Sequence, residues 1–139
     1  MEAKETKKYE VRSFEKSDYP IICSWWSAQG WPAIPAAILP KTGLIATHNG
    51  EMVAAGWIYA TDAKITWMEW IVADPKADKE VKNVCIDSVI ESLLQWASDN
   101  GYQGVMTSTE HKKLIERYKT HGFAIQQDSN MTNMIWSKK

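Results

Sequence analysis

The sequence predicts an α+β fold: a mixed, mostly antiparallel, twisted sheet of about seven strands flanked by about four helices. Three features of the chain carry that prediction. Asn49-Gly50 between two apolar runs is the strongest short hairpin signal available. Ile65 to Ala73 is an apolar strand that leads through a charged loop into a long amphipathic helix. Gly104 to Ser108 is then a strand reached by a helical crossover, which makes it parallel to the Ile65 strand and leaves that pair at the centre of the sheet.

The elements follow in order. Met1 to Lys8 is polar and expected to fray, with a single domain running from 9 to 139. Tyr9 to Phe14 alternates in polarity and reads as a first strand. Ser17 or Asp18 can cap a helix whose apolar face is Ile22, Trp25 and Trp26, ending at Gly30. Trp31 to Pro40 holds Pro32, Pro35 and Pro40, so at most a short, proline-started helix fits there. Leu44 to His48 and Met52 to Tyr59 form the hairpin, and Thr61 to Lys64 turns the chain into the Ile65 strand.

Asp78 can cap the long helix, whose apolar stripe is Val81, Val84, Cys85, Ser88, Val89, Ser92, Leu93 and Trp96. Asn100-Gly101 stops it. A last helix, capped near Thr109, turns Leu114, Ile115 and Tyr118 inward and stops at Gly122. Ala124 to Gln127 and Met131 to Trp136 then close the sheet as a hairpin across Asp128-Ser129-Asn130.

Composition excludes several classes of function. With 139 residues, 45% of them hydrophobic and 24% charged, the chain suits one globular core. Net charge is −1 and Lys and Arg are dispersed, so no nucleic-acid surface is evident. Apolar runs too short for a bilayer, no signal-peptide pattern and two isolated cysteines, Cys23 and Cys85, lead to the expectation of a cytoplasmic protein. His48, His111 and His121 are too scattered for a zinc or Ser-His-Asp constellation, so no metal is expected.

The chemistry centres on Glu69. A carboxylate among Trp, Met, Ile and Val is costly to bury, so it is either paired for structure or positioned for proton transfer. The strand that carries it ends in a loop and a helix N-terminus, a geometry that can hold phosphates.

The order of elements, the Glu-x-x-Val run from Glu69 to Val72 with Pro75 after it, and the Tyr-x-x-x-Gly-Phe run from Tyr118 to Phe123 resemble the GNAT superfamily of acyl-CoA N-acyltransferases. The region from Trp25 to Pro32 is similar to small acetyltransferase-like proteins, phage-encoded ones included. The resemblance implies acetyl-CoA as co-substrate, its pantetheine paired with the backbone of Ile71 and Val72 and its pyrophosphate on Lys79, Glu80, Val81 and Lys82. It implies Glu69 as base and Tyr118 as acid. His111 stands where the family carries an Asn, on the cofactor side. Trp26, Trp31 and Asp128 would line the acceptor side, an aromatic wall near a carboxylate that suits a small cationic amine.

The sequence departs from the family at the phosphate loop. Asp74 to Lys82 contains no glycine where two are usual, and its three carboxylates face three lysines. Two other readings therefore stand beside a small-molecule N-acetyltransferase: a non-catalytic GNAT-fold binding protein, and an acetyltransferase for a protein or a nucleotide amine. A homodimer is compatible with each.

Overall fold

The computed structural model describes residues 8–126 and Met134. The chain divides into two compact units, Met1–Ser108 and Thr109–Lys139. In the first, five strands lie in the order β1-β2-β3-β4-β5: β1 (Tyr9–Ser13), β2 (Thr42–His48), β3 (Glu51–Tyr59), β4 (Ile65–Ala73) and β5 (Gly104–Met106). The first four pair antiparallel with their neighbours, and β4 with β5 is parallel. The expected mixed α+β sheet is present. Its parallel pair stands at one end of the five described strands rather than at the centre. Of the expected closing hairpin, Ala124, Ile125, Gln126 and Met134 are not in strands, and the remainder lies outside the described residues.

Two helices cover opposite faces of this sheet. Helix α1 (Tyr19–Ala28) buries Ile22, Trp25 and Trp26 against Ile45, Ala55, Trp57 and Val72. Helix α2 (Lys79–Asp99) covers the other face, where a side chain on Gly56 would collide with Ile71, Val89 and Leu93. Its buried stripe is Val81, Cys85, Val89, Ile90, Leu93 and Ala97, a run of every fourth residue plus Ile90. Val84, expected inside, is exposed, and Ser88, Ser92 and Trp96 are only partly buried. Burial pushes the Cys85 thiol up, which leaves it an inert packing residue. The proline-rich stretch yields a single 3-10 turn, Ala36–Ile38, entered from Pro35.

Local chemistry sets the boundaries. Asn49 (φ 51°) and Gly50 (φ 83°) both take the left-handed conformation that a two-residue hairpin turn requires. Asp78 caps α2 as expected, accepting from the Glu80 N–H. Asp18 precedes α1 but does not cap it with its side chain. Instead its buried carboxylate takes both Arg12 guanidinium nitrogens (2.8 and 2.9 Å) and the Glu15 N–H (2.8 Å), tying β1 to the start of α1.

The Arg12 hydrogen bonds, helped by the Glu15 N–H and opposed by burial, hold the Asp18 carboxyl below its ordinary value. A carboxyl depressed in the folded state contributes stability that is complete above its unfolded value, about 3.9, and is lost as pH falls toward the folded one. Denaturant titrations from pH 6 downward should therefore show part of the acid destabilisation missing in Asp18→Asn. Equal pH slopes for the two proteins would refute the linkage.

In the second unit, helix α3 (Lys112–Thr120) starts from His111 rather than Thr109, whose hydroxyl accepts the His111 N–H. It ends in a Schellman motif. Gly122 has φ 95°, the Phe123 N–H bonds the Tyr118 carbonyl at 3.0 Å, the Gly122 N–H bonds Lys119, and the Tyr118 and Phe123 rings lie 5.3 Å apart. The Tyr-x-x-x-Gly-Phe run is thus a complete helix stop on its own terms.

Candidate functional site

The site begins where β5 parts from β4. Backbone pairing between them covers only Ile65, Thr66 and Trp67 against Gly104, Val105 and Met106. The next link is a side chain, the Thr107 hydroxyl donating to the Met68 carbonyl at 2.7 Å. Past that point the β5-side edge of β4, Glu69 to Ala73, has no strand partner among the described residues. A short parallel pairing followed by an open edge is a slot for an extended ligand to add itself as a strand.

Glu69 stands at the apex of the opening. It lies opposite Trp57 across β3, so it shares the face covered by α1. The Trp67 indole N–H and the Ser108 hydroxyl (3.2 Å) both donate to Oε1. Both hydrogen bonds fall on the same oxygen, which orients the carboxylate.

A bulge follows immediately. Register slips between β3 and β4 at Gly56, and Trp70 takes φ 65°, a conformation that a bulky L-residue rarely adopts and that costs about 1–3 kcal/mol. Its indole N–H donates to the Tyr59 hydroxyl (2.8 Å), and that hydroxyl donates to the Ile38 carbonyl (2.8 Å). Through the slip, Glu69, Trp70 and Val72 face α1, while Ile71 faces α2. Strict alternation would have put Trp70 on the α2 side. The bulge therefore moves an aromatic ring next to the carboxylate and ties it to the loop after α1.

That loop, Trp31 to Pro40, contains no charged residue and is mostly exposed. The Tyr19 hydroxyl on Ile34 (2.6 Å) and the Tyr59 hydroxyl on Ile38 pin it. Trp31 is 39% exposed, whereas Trp26 is 1% exposed and packed between Tyr19 and Trp57. Trp26, expected in an acceptor wall, has its ring packed in the core.

At the far end of the open edge, the chain turns into α2. The Asp74 carboxylate accepts the Lys76 N–H (2.9 Å), and the Asp78 carboxylate accepts the Glu80 N–H (3.2 Å). The Lys82 N–H closes the first turn on the Asp78 carbonyl, and its Nζ reaches the Pro75 carbonyl at 3.4 Å. Of the four N–H groups assigned to a pyrophosphate, those of Lys79 and Val81 have no partner among the described residues.

The structure brings Glu69, Ile71, Val72 and the start of α2 onto one strand and its continuation. Tyr118 and His111 belong to the second unit, Tyr118 buried and His111 exposed. Asp128 lies outside the described residues. Trp67, Ser108, Trp70 and Tyr59 are the site residues that sequence reasoning missed. Only Trp67 left a signal, two residues before Glu69 on the same strand face.

The fold of this chain is that of the GNAT acetyltransferases. A GNAT family acetyltransferase from Streptococcus pneumoniae superposes with a TM-score of 0.66 at 15% identity, over 94% of this chain and 98% of its own. Ard1 from Thermoplasma volcanium matches at 0.71 and 15% identity, over 86% and 84%. An aminoglycoside N-acetyltransferase, AAC(6')-Iy, in complex with CoA matches at 0.66 and 16% identity, over 95% and 98%. No protein-family model matches the sequence, and no curated protein matches it. Among the described residues no helix is long and apolar enough to cross a membrane, and no group of three or more His, Cys, Asp or Glu could hold a metal ion.

Proposed function

We propose that the protein is an N-acetyltransferase that moves an acetyl group from a pantetheine thioester, CoA being the form its fold neighbours suggest, onto a small amine. The observation that carries this reading is the parting of β4 from β5 with Glu69 at its apex and an open strand edge beyond. The pantetheine amides would pair with the edge at Ile71 and Val72. The thioester supplies an acetyl carbon activated for attack. The amine nitrogen bonds to it as the C–S bond breaks, and the proton lost by nitrogen is balanced by one gained on sulfur.

This chain's residues serve that exchange in three ways. Glu69, held through Oε1, accepts the amine proton on Oε2 directly or through water. Tyr118 is assigned the proton donor for the departing thiolate. The uncharged loop with Trp31 offers the acceptor an apolar and aromatic wall, which binds a cationic amine with about 0.5–2 kcal/mol of cation–π attraction per ring. Assignment of an acceptor carboxylate to Asp128 belongs to the same proposal.

Thiol release from acetyl-CoA, measured across a panel of small amines, tests the reading. Turnover with at least one amine is expected, and Trp31→Ala should raise its KM several-fold with kcat little changed. Acetylation of a folded protein alone, with the amines inert, would replace this acceptor class. Donor binding without any turnover would favour the non-catalytic binding protein, which the self-capped start of α2 also suits.

A further inference from the structure

We infer that the donor is recognised chiefly through its pantetheine arm and that the phosphates of CoA contribute little to its binding; this rests on the proposed function above. A ligand laid along the open edge of β4 runs, at the Ala73 end, straight into the Asp74 to Asp78 turn and the N-terminus of α2. A helix start is a seat for phosphate because its N–H groups are unsatisfied and its dipole favours negative charge. Here the chain fills part of that seat itself and sets carboxylates around it, although the Lys79 and Val81 N–H groups have no partner among the described residues. Asp78 puts a carboxylate on the Glu80 N–H, Asp74 puts another on the Lys76 N–H, and the Lys82 N–H is closed on the Asp78 carbonyl.

The charges do not restore the seat. Asp74, Asp78 and Glu80 oppose Lys76, Lys79 and Lys82 one for one, and Lys82 is already directed to the Pro75 carbonyl. Lys76 and Lys79 are exposed, where Coulomb attraction is screened within about 10 Å at ordinary salt. With no glycine from Asp74 to Lys82, side chains stand at every position of the turn and keep a diphosphate from lying against the backbone. The strand edge suffers none of these obstacles. The substrate class is therefore a pantetheine thioester whose far end contributes little to recognition.

Calorimetry with CoA and with pantetheine, each at 50 and 300 mM NaCl, tests this without requiring turnover. Dissociation constants within tenfold of one another, with little salt dependence, are expected. The ratio of kcat/KM for acetyl-CoA over S-acetyl-pantetheine should lie in the same range. Asp78→Asn keeps a good helix cap and removes the charge, so it should tighten CoA several-fold and leave pantetheine unchanged. CoA binding more than tenfold tighter than pantetheine, or no gain for CoA in Asp78→Asn, would overturn the inference while leaving the transferase reading intact. Binding of neither ligand would overturn both.

Discussion

Glu69→Gln is expected to lower turnover by about 10²-fold or more while leaving donor binding unchanged, because a positioned proton acceptor contributes on that scale. The amide is isosteric and can still take the Trp67 and Ser108 hydrogen bonds through its oxygen, so the strand and its bulge persist. What is lost is the oxygen to which the proposed function assigns the amine proton. Trp67→Phe removes one of the two donors that orient the carboxylate and should reduce kcat by less, with the KM of the amine nearly constant. Tyr118→Phe should also lower kcat by about 10²-fold if its hydroxyl meets the thiolate. Its ring contact with Phe123 and the Schellman hydrogen bonds do not involve the hydroxyl, so α3 should keep its end. Wild-type rates in both Glu69→Gln and Tyr118→Phe would mean that protons pass through solvent and that these roles are wrong.

Trp57→Ala is expected to cost about 3–5 kcal/mol, the usual range for emptying an aromatic site in a core. Trp57 is fully buried at the middle of β3, with the Trp26 ring 5.7 Å away on one side and Phe14 edge-on at 5.3 Å. It is the ring on which α1, β1 and the sheet meet. Gly43 opposite leaves room for it, since a Cβ there would fall 2.3 Å from Nε1. For a domain of this size the loss should lower Tm by roughly 10–20 °C. The indole N–H is buried without a partner among the described residues, so Trp57→Phe removes an unsatisfied donor along with volume. That variant should lose less than half as much. A Trp57→Ala protein melting within a few degrees of wild type would show that the α1 layer packs independently of this ring.

Much of this was legible in the chain. Asn49-Gly50, the apolar strand with one carboxylate, the Asp78 cap and the parallel β5 all rest on local rules of turn chemistry, period and crossover, and each is found where those rules put it. The bulge was not legible. Ile65 to Ala73 reads as uniform strand, and nothing in Glu69-Trp70-Ile71 announces a left-handed Trp70. That conformation is held by distant groups, the Tyr59 hydroxyl and the packing beneath α1. The Ser108 hydroxyl reaches Glu69 across 39 positions, a link that only topology creates. Trp26 and Trp31 looked alike as aromatic residues near one loop. Helical phase aims Trp26 at Trp57, whereas Trp31 lies beyond the end of α1. The same phase effect moved Val84 outward on α2.

The connectivity of the sheet also orders its assembly. Strands β1 to β4 are each hydrogen-bonded to the strand adjacent in sequence, and the β2–β3 hairpin closes over two residues. Two connections are long: β1 meets β2 across the 28 residues between Ser13 and Thr42, and β5 comes back to β4 after the thirty between Ala73 and Gly104. Closing either costs about 2 kcal/mol more in chain entropy than closing a two-residue turn, but five residue pairs reward β1 and only three reward β5. Long-range pairing of this kind forms late and opens early. One wall of the cleft is thus the last part of the sheet to be set, and a thioester lying along β4 would occupy the place where a longer fifth strand would have finished the fold.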